Sequence, residues 1–177
     1  MNFTLNSKDY MDYIVAVNQE LNEKEEYITN LDLATGDGDH WANLHMGFTK
    51  LTEEKERLEA LDLSSELKEI GKIMMAVIGG SSGVLYGSAY LHASKVMKDK
   101  EAIHKEELFE ILNAMLNAIM ERGQAKPGFK TMIDSLHPAV EAYKAALEEG
   151  VGVEELCKRV AAAAEKGAEE TRNMESI

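Results

Sequence analysis

Apolar residues recur along this chain at the three-and-four spacing of helices, and the runs are separated by breaks rich in glycine or aspartate. Tyr10, Tyr13, Ile14, Val17 and Leu21 share one face, which predicts an amphipathic helix that starts after Ser7, a candidate cap, and runs toward Leu31. Leu44, Phe48 and Leu51 mark a second helix, which turns polar through Glu53-Glu54-Lys55-Glu56-Arg57, read here as a solvated face. Asp62 to Glu66 supplies caps for a third, Leu67 to Ile78, whose far end is almost wholly apolar and is expected at the centre of the fold. A fourth opens at Val84 with small residues along one side, where another helix can approach closely. Lys105 to Arg122 is the fifth, with Leu108, Ile111, Leu112, Met115 and Ile119 inward and Gly123 as its stop. A sixth runs from about Lys130 to Glu149 and a seventh from about Val153 to Asn173. Few β-branched runs, two prolines and abundant Ala, Leu, Glu, Lys and Met make the expected class all-α, with about seven helices.

With 177 residues, 45% apolar and 29% charged, the chain suits a single domain over residues 1–177. The longest apolar run, Ile73 to Gly80, falls far short of the roughly 20 residues needed to cross a bilayer, and the start lacks a basic, apolar leader. A cytoplasmic protein is the expectation. The net charge of −13 repels nucleic acid and anionic membranes, so neither is expected as a partner. An anionic nucleotide stays compatible, because a bound divalent cation reverses the local field. The lone Cys157 shares a helical side with Val153 and Val160 and is read as core.

The chemistry concentrates in Asp32-Leu33-Ala34-Thr35-Gly36-Asp37-Gly38-Asp39-His40. Asp37 and Asp39 flank a glycine and Asp32 lies five residues upstream, so a loop folding back brings three hard oxygen donors to one point, the ligand type magnesium takes. An ordinary turn with carboxylate caps uses the same residues, and Asp39 is placed to cap the helix that follows. An EF-hand does not fit: counted from Asp37, its glycine and glutamate positions hold Ala42 and Phe48. A second candidate is Gly79-Gly80-Ser81-Ser82-Gly83, read either as a tight turn or as a phosphate nest at a helix start. Gly123 to Thr131 looks like a P-loop, but Phe129 stands between its last glycine and the lysine, and a helix precedes it where a strand is required.

Taken together, Asp32-x4-Asp37-Gly38-Asp39-His40-x2-Asn43, then Gly79-Gly80-Ser81-Ser82-Gly83-x2-Tyr86-Gly87, then Gly128-x-Lys130-Thr131-Met132-x-Asp134 resemble the L subunit of dihydroxyacetone kinase across essentially the whole chain. The resemblance implies an up-and-down antiparallel helical barrel or bundle, here without the family's eighth helix, that holds ADP or ATP and two magnesium ions at one end. It implies phosphoryl transfer to dihydroxyacetone held on a separate K subunit, with ADP rephosphorylated by a phosphohistidine-carrying M subunit of the sugar phosphotransferase system. A transcription regulator and a homodimer are further partners compatible with the family.

Carried onto this sequence, the resemblance makes Asp32, Asp37 and Asp39 the magnesium ligands. It places His40, Asn43, Ser81 and Ser82 at the phosphates, and Gly123 and Met132 beside the adenine. Trp41 stands where the family usually has glycine, and Phe129 where it usually has an acidic residue. These departures motivate an alternative, a non-catalytic paralogue that binds a K-like partner or a regulator. A third reading, a small-molecule kinase domain of related fold, lacks support because no further domain is evident.

Overall fold

Capping and the placement of apolar residues decide where each helix begins and what it buries. The computed structural model describes residues 3–34 and 36–175; Thr35 of the aspartate loop and the terminal Ser176 and Ile177 lie outside them. Among the described residues there are nine α-helices: α1 (Ser7–Glu23), α2 (Glu25–Leu33), α3 (His40–Glu53), α4 (Lys55–Leu58), α5 (Leu63–Val77), α6 (Gly80–Val96), α7 (Lys105–Gly123), α8 (Ile133–Glu148) and α9 (Val153–Glu170). The backbone pairing outside them is a single antiparallel bridge, Leu5 to Ile103. None of these helices is long and apolar enough to cross a membrane.

Seven expected helices become nine because two of them break. Lys24 leaves the helical region at φ −104° and ψ 12°, dividing α1 from α2, and Glu54 does the same at φ −92° and ψ 6°, dividing α3 from α4. The break at Glu54 turns the charge run inward at one point: Leu58 is fully buried, and Lys55 reaches Asp12 on α1 at 3.2 Å. Several starts also differ from expectation. Asn6, not Ser7, caps α1, through a reciprocal pair in which Asp9 N–H donates to Asn6 Oδ1 at 3.1 Å and Asn6 N–H to Asp9 Oδ2 at 3.0 Å. Helix α6 begins at Gly80 rather than Val84, so Ser81, Ser82 and Gly83 belong to its first turn. At the end of α7 it is Gln124, at φ 49°, that takes the left-handed position expected of Gly123. Lys130, at φ 57°, cannot open a helix, and α8 starts three residues later.

The helices pack in chain order, α1 on α3, α3 on α5, then α5 through α9 each on the next, while α2 rests on α3. Met11, Ile14, Leu51, Leu67, Ile70, Met74 and Ile111 fill the space they enclose. Each such side chain contributes about 1.5–3 kcal/mol on burial. Helices α5 and α6 approach closely: a Cβ at Gly87 would stand 2.7 Å from the Gly71 carbonyl oxygen, and one at Gly71 would stand 2.9 Å from that of Gly87. Gly87→Ala is therefore expected to lower stability by about 1–3 kcal/mol, read as a fall in the urea midpoint at unchanged slope.

The curve of helices does not close. Between α1 and α9 runs an apolar groove of about 540 Å³, walled by Tyr10, Tyr13, Leu112, Tyr143, Val160 and Ala164 among others. Cys157 lines it and is exposed, which corrects its reading as a core residue. The side of α9 that carries it faces this groove, and the burial of α9 falls instead on Leu156 and Gly167.

Candidate functional site

One end of the bundle gathers the α2–α3 loop, the α5–α6 turn and the α7–α8 segment. The α2–α3 loop brings its three carboxylates together, and one oxygen from each of Asp32, Asp37 and Asp39 lies within 4.8 Å of the others. Two glycines make the approach feasible. A side chain at Gly36 would stand 2.5 Å from Asp32 Oδ1, and Gly38, at φ 79°, turns the chain between Asp37 and Asp39.

The capping arrangement differs from the expected one. Asp39 occupies the position before α3, but its backbone is helical (φ −90°, ψ −7°) rather than extended, and its side chain accepts no cap hydrogen bond. Asp32 takes part of that role from the end of α2: the His40 N–H donates to Asp32 Oδ2 at 3.2 Å. Asp39 N–H turns back to Asp37 Oδ1 at 3.4 Å. The Asp39 carboxylate is thereby left to join the cluster.

The second segment meets the first directly. Ser82 Oγ stands 3.5 Å from His40 Nδ1, and a Cβ at Gly79 would lie 2.6 Å from Asn43 Oδ1. His40 and Asn43, one turn apart on α3, thus face the start of α6. Like α3, α6 begins with no side-chain cap from the residue before it, whereas Asn6 and Asp62 cap α1 and α5 at the other end of the bundle. Two helix starts with positive dipole ends, that of α3 spending only its His40 N–H on Asp32, therefore converge beside three carboxylates, an arrangement able to hold cations and phosphate oxygens side by side.

The third segment joins through packing. Gly123 lies beside Leu85 of α6, and Met132 belongs with Leu85, Leu116 and Ile133 to one apolar cluster. Gly123 and Met132 are thus brought to the same side of α6 as each other, one turn along from Ser81 and Ser82. A residue given no role at the sequence level shapes this segment: the buried Asp134 accepts the N–H groups of Gly128 at 2.5 Å and Thr131 at 2.9 Å. Its place three residues after Thr131 is the local signal of such a turn.

Trp41 does not crowd the carboxylates. Its indole N–H donates to the Leu21 carbonyl at 2.9 Å, and its ring stacks on His45 at 4.8 Å between centroids. Phe129 lies under the Lys126 ammonium, 5.4 Å from the ring centre.

Comparison with known proteins agrees with this layout. The DAK2 domain model matches residues 34–177. The ADP-binding subunit DhaL of the PEP-dependent dihydroxyacetone kinase of Escherichia coli is 31% identical over 153 residues, covering 86% of this chain and 73% of that protein. The corresponding subunit of kinase 1 of Listeria innocua is 39% identical over 124 residues, covering 70% of this chain and 62% of that one. Human triokinase/FMN cyclase is 31% identical over 154 residues, 86% of this chain but 26% of the enzyme. The crystal structure of the C. freundii dihydroxyacetone kinase in complex with AMP-PNP and Mg2+ superposes with a TM-score of 0.77 at 26% identity, over 94% of this chain and 29% of that one. The chain thus spans about three quarters of the E. coli subunit and about three fifths of the Listeria one. All-helical, with its aspartates gathered at one end, it belongs to the DAK2-domain family.

Proposed function

We propose that this chain is the nucleotide-binding, phosphoryl-transferring subunit of a dihydroxyacetone kinase. The observation that carries the reading is the meeting of Asp32, Asp37 and Asp39, with carboxylate oxygens within 4.8 Å, beside the starts of α3 and α6. Magnesium held at that point would supply neutralisation of phosphate charge. Asp32, Asp37 and Asp39 are the residues that would hold it, two magnesium ions being the expected complement. His40 and Asn43 would hold phosphate oxygens from α3, and Ser81 and Ser82 from the first turn of α6. Gly123 and Met132 would border the adenine, Gly123 because it presents no side chain and Met132 because its flexible thioether adapts to a flat ring.

Phosphoryl transfer depends mainly on position and charge neutralisation, so this subunit needs no general base of its own. The acceptor, dihydroxyacetone, would be carried by a separate K subunit. ADP would remain bound and be rephosphorylated by a phosphotransferase-system protein, in keeping with the words PEP-dependent and ADP-binding subunit in the names of the bacterial relatives.

The test is reconstitution. The chain, magnesium, ADP and the K subunit are combined with dihydroxyacetone and either ATP or the phosphoenolpyruvate-driven phosphotransferase proteins, and dihydroxyacetone phosphate is measured. Product with one donor is expected. Tight binding of magnesium and ADP without product from either donor would favour the non-catalytic paralogue.

A further inference from the structure

Among the described α-helices α2 alone buries none of its residues, and it carries an apolar stripe beside the proposed phosphate site. It is nine residues long and has no side-chain cap. In water a helix of that length is marginal on its own. Of the six large apolar side chains most exposed among the described residues, three lie on it: Tyr27 at 61%, Leu31 at 58% and Leu33 at 56%. Tyr27 and Leu31 are four apart and share a face. Leu33 leans over the aspartate loop, its Cδ2 2.7 Å from where a Cβ on Gly38 would be. Around the stripe the exposed charge is acidic, with Glu23, Glu25 and Glu26, while Lys24 is held by Glu20 at 3.7 Å.

We infer that this face of α2 is the docking element for the acceptor-carrying subunit, which would meet it with an apolar hollow edged by lysine or arginine. The inference rests on the phosphoryl-transfer reading above. Because Asp32 belongs to α2, any protein that brings a small acceptor to the carboxylate cluster must cover this rim. The acidic flank then selects a basic partner and speeds its approach. A tyrosine and a leucine displayed together at the centre of such a contact are the residue types that anchor protein interfaces.

The double variant Tyr27→Ala/Leu31→Ala tests this, since alanine keeps the helix while removing the stripe. Three quantities are compared with wild type: the Kd for ADP with magnesium by calorimetry, the dependence of dihydroxyacetone phosphate formation on K-subunit concentration, and the helical circular dichroism. The expected result is an unchanged Kd and spectrum, and a KM for the K subunit raised about tenfold or more, with kcat changed little. Glu25→Lys/Glu26→Lys should raise the same KM and weaken its salt dependence. An unchanged KM in the alanine variant would overturn the inference, as would a parallel loss of ADP affinity, which would make the stripe a prop of the aspartate loop. Should wild type bind ADP with magnesium yet form no product, the kinase reading falls and the docking role with it.

Discussion

Magnesium and ADP together are expected to raise the unfolding midpoint of the wild-type chain, and Asp37→Asn is expected to remove that rise. A ligand that binds only the folded state, present at 100 times its dissociation constant, adds about 2.7 kcal/mol. At roughly 2–4 °C per kcal/mol for a chain of this size, the expected shift is about 5–10 °C. Three carboxylates within 4.8 Å of one another repel in the absence of a counter-ion, and the nucleotide phosphates repel all three. ADP with EDTA should therefore leave the midpoint nearly unchanged. Asparagine keeps the shape of Asp37 but withdraws one of the charges that hold the ion. Because Asp37 is exposed, that change should not disturb the fold itself. A full rise in Asp37→Asn, or a rise for wild type that persists in EDTA, would remove the cluster from the nucleotide site.

Raising the pH from 4.5 to 8 should cost the wild type several kcal/mol of stability relative to Glu66→Gln. Glu66 sits on α5 at 0% exposure, and neither of its carboxylate oxygens has a hydrogen-bond partner. Burial pushes its pKa from 4.5 up to about 8; Glu59 and Asp62 push the same way, while Ser7 and Lys55 oppose. The folded chain thus holds the proton more tightly than the unfolded one. The contribution of the protonated carboxyl is complete below pH 4.5 and is lost as the pH climbs through about 8, at about 1.4 kcal/mol per unit. Paired carboxylates such as Glu54 and Glu69, whose pKa values are lowered, bend the curve the other way in both proteins and cancel in the difference. Urea unfolding of both proteins at pH 5, 6, 7 and 8 measures that difference. A flat difference would mean that Glu66 is ionised in the folded chain.

The two predictions draw on features of very different visibility in the sequence. The aspartate cluster was legible because its chemistry is local: three carboxylates and two glycines within eight residues can only turn back on themselves, and they do. The long helices were legible because their apolar spacing is sustained. What could not be read was set by contacts distant in sequence. The breaks at Lys24 and Glu54 fall inside patterns that would continue equally well as helix. The start of α6 at Gly80 depends on its packing against the end of α5, where a Cβ on Gly83 would press on the carbonyl oxygens of Ile78 and Met74. The place of Trp41, which stands where the family usually has glycine, was hidden because only the fold reveals Leu21 as its acceptor. Cys157 looked internal because spacing identifies a face of a helix without saying what lies opposite it.

The open seam between α1 and α9 bears on motion as well as shape. Among the described residues, the α8–α9 hairpin is attached to the rest of the molecule chiefly through α7. Hydrogen exchange in α8 and α9 should accordingly follow a shared opening of lower free energy than that of α5 and α6, which are packed between α3 and α7. Met132 lies at the root of this hairpin, so a nucleotide seated against it would slow exchange across all of α8 and α9, tens of residues from the phosphates.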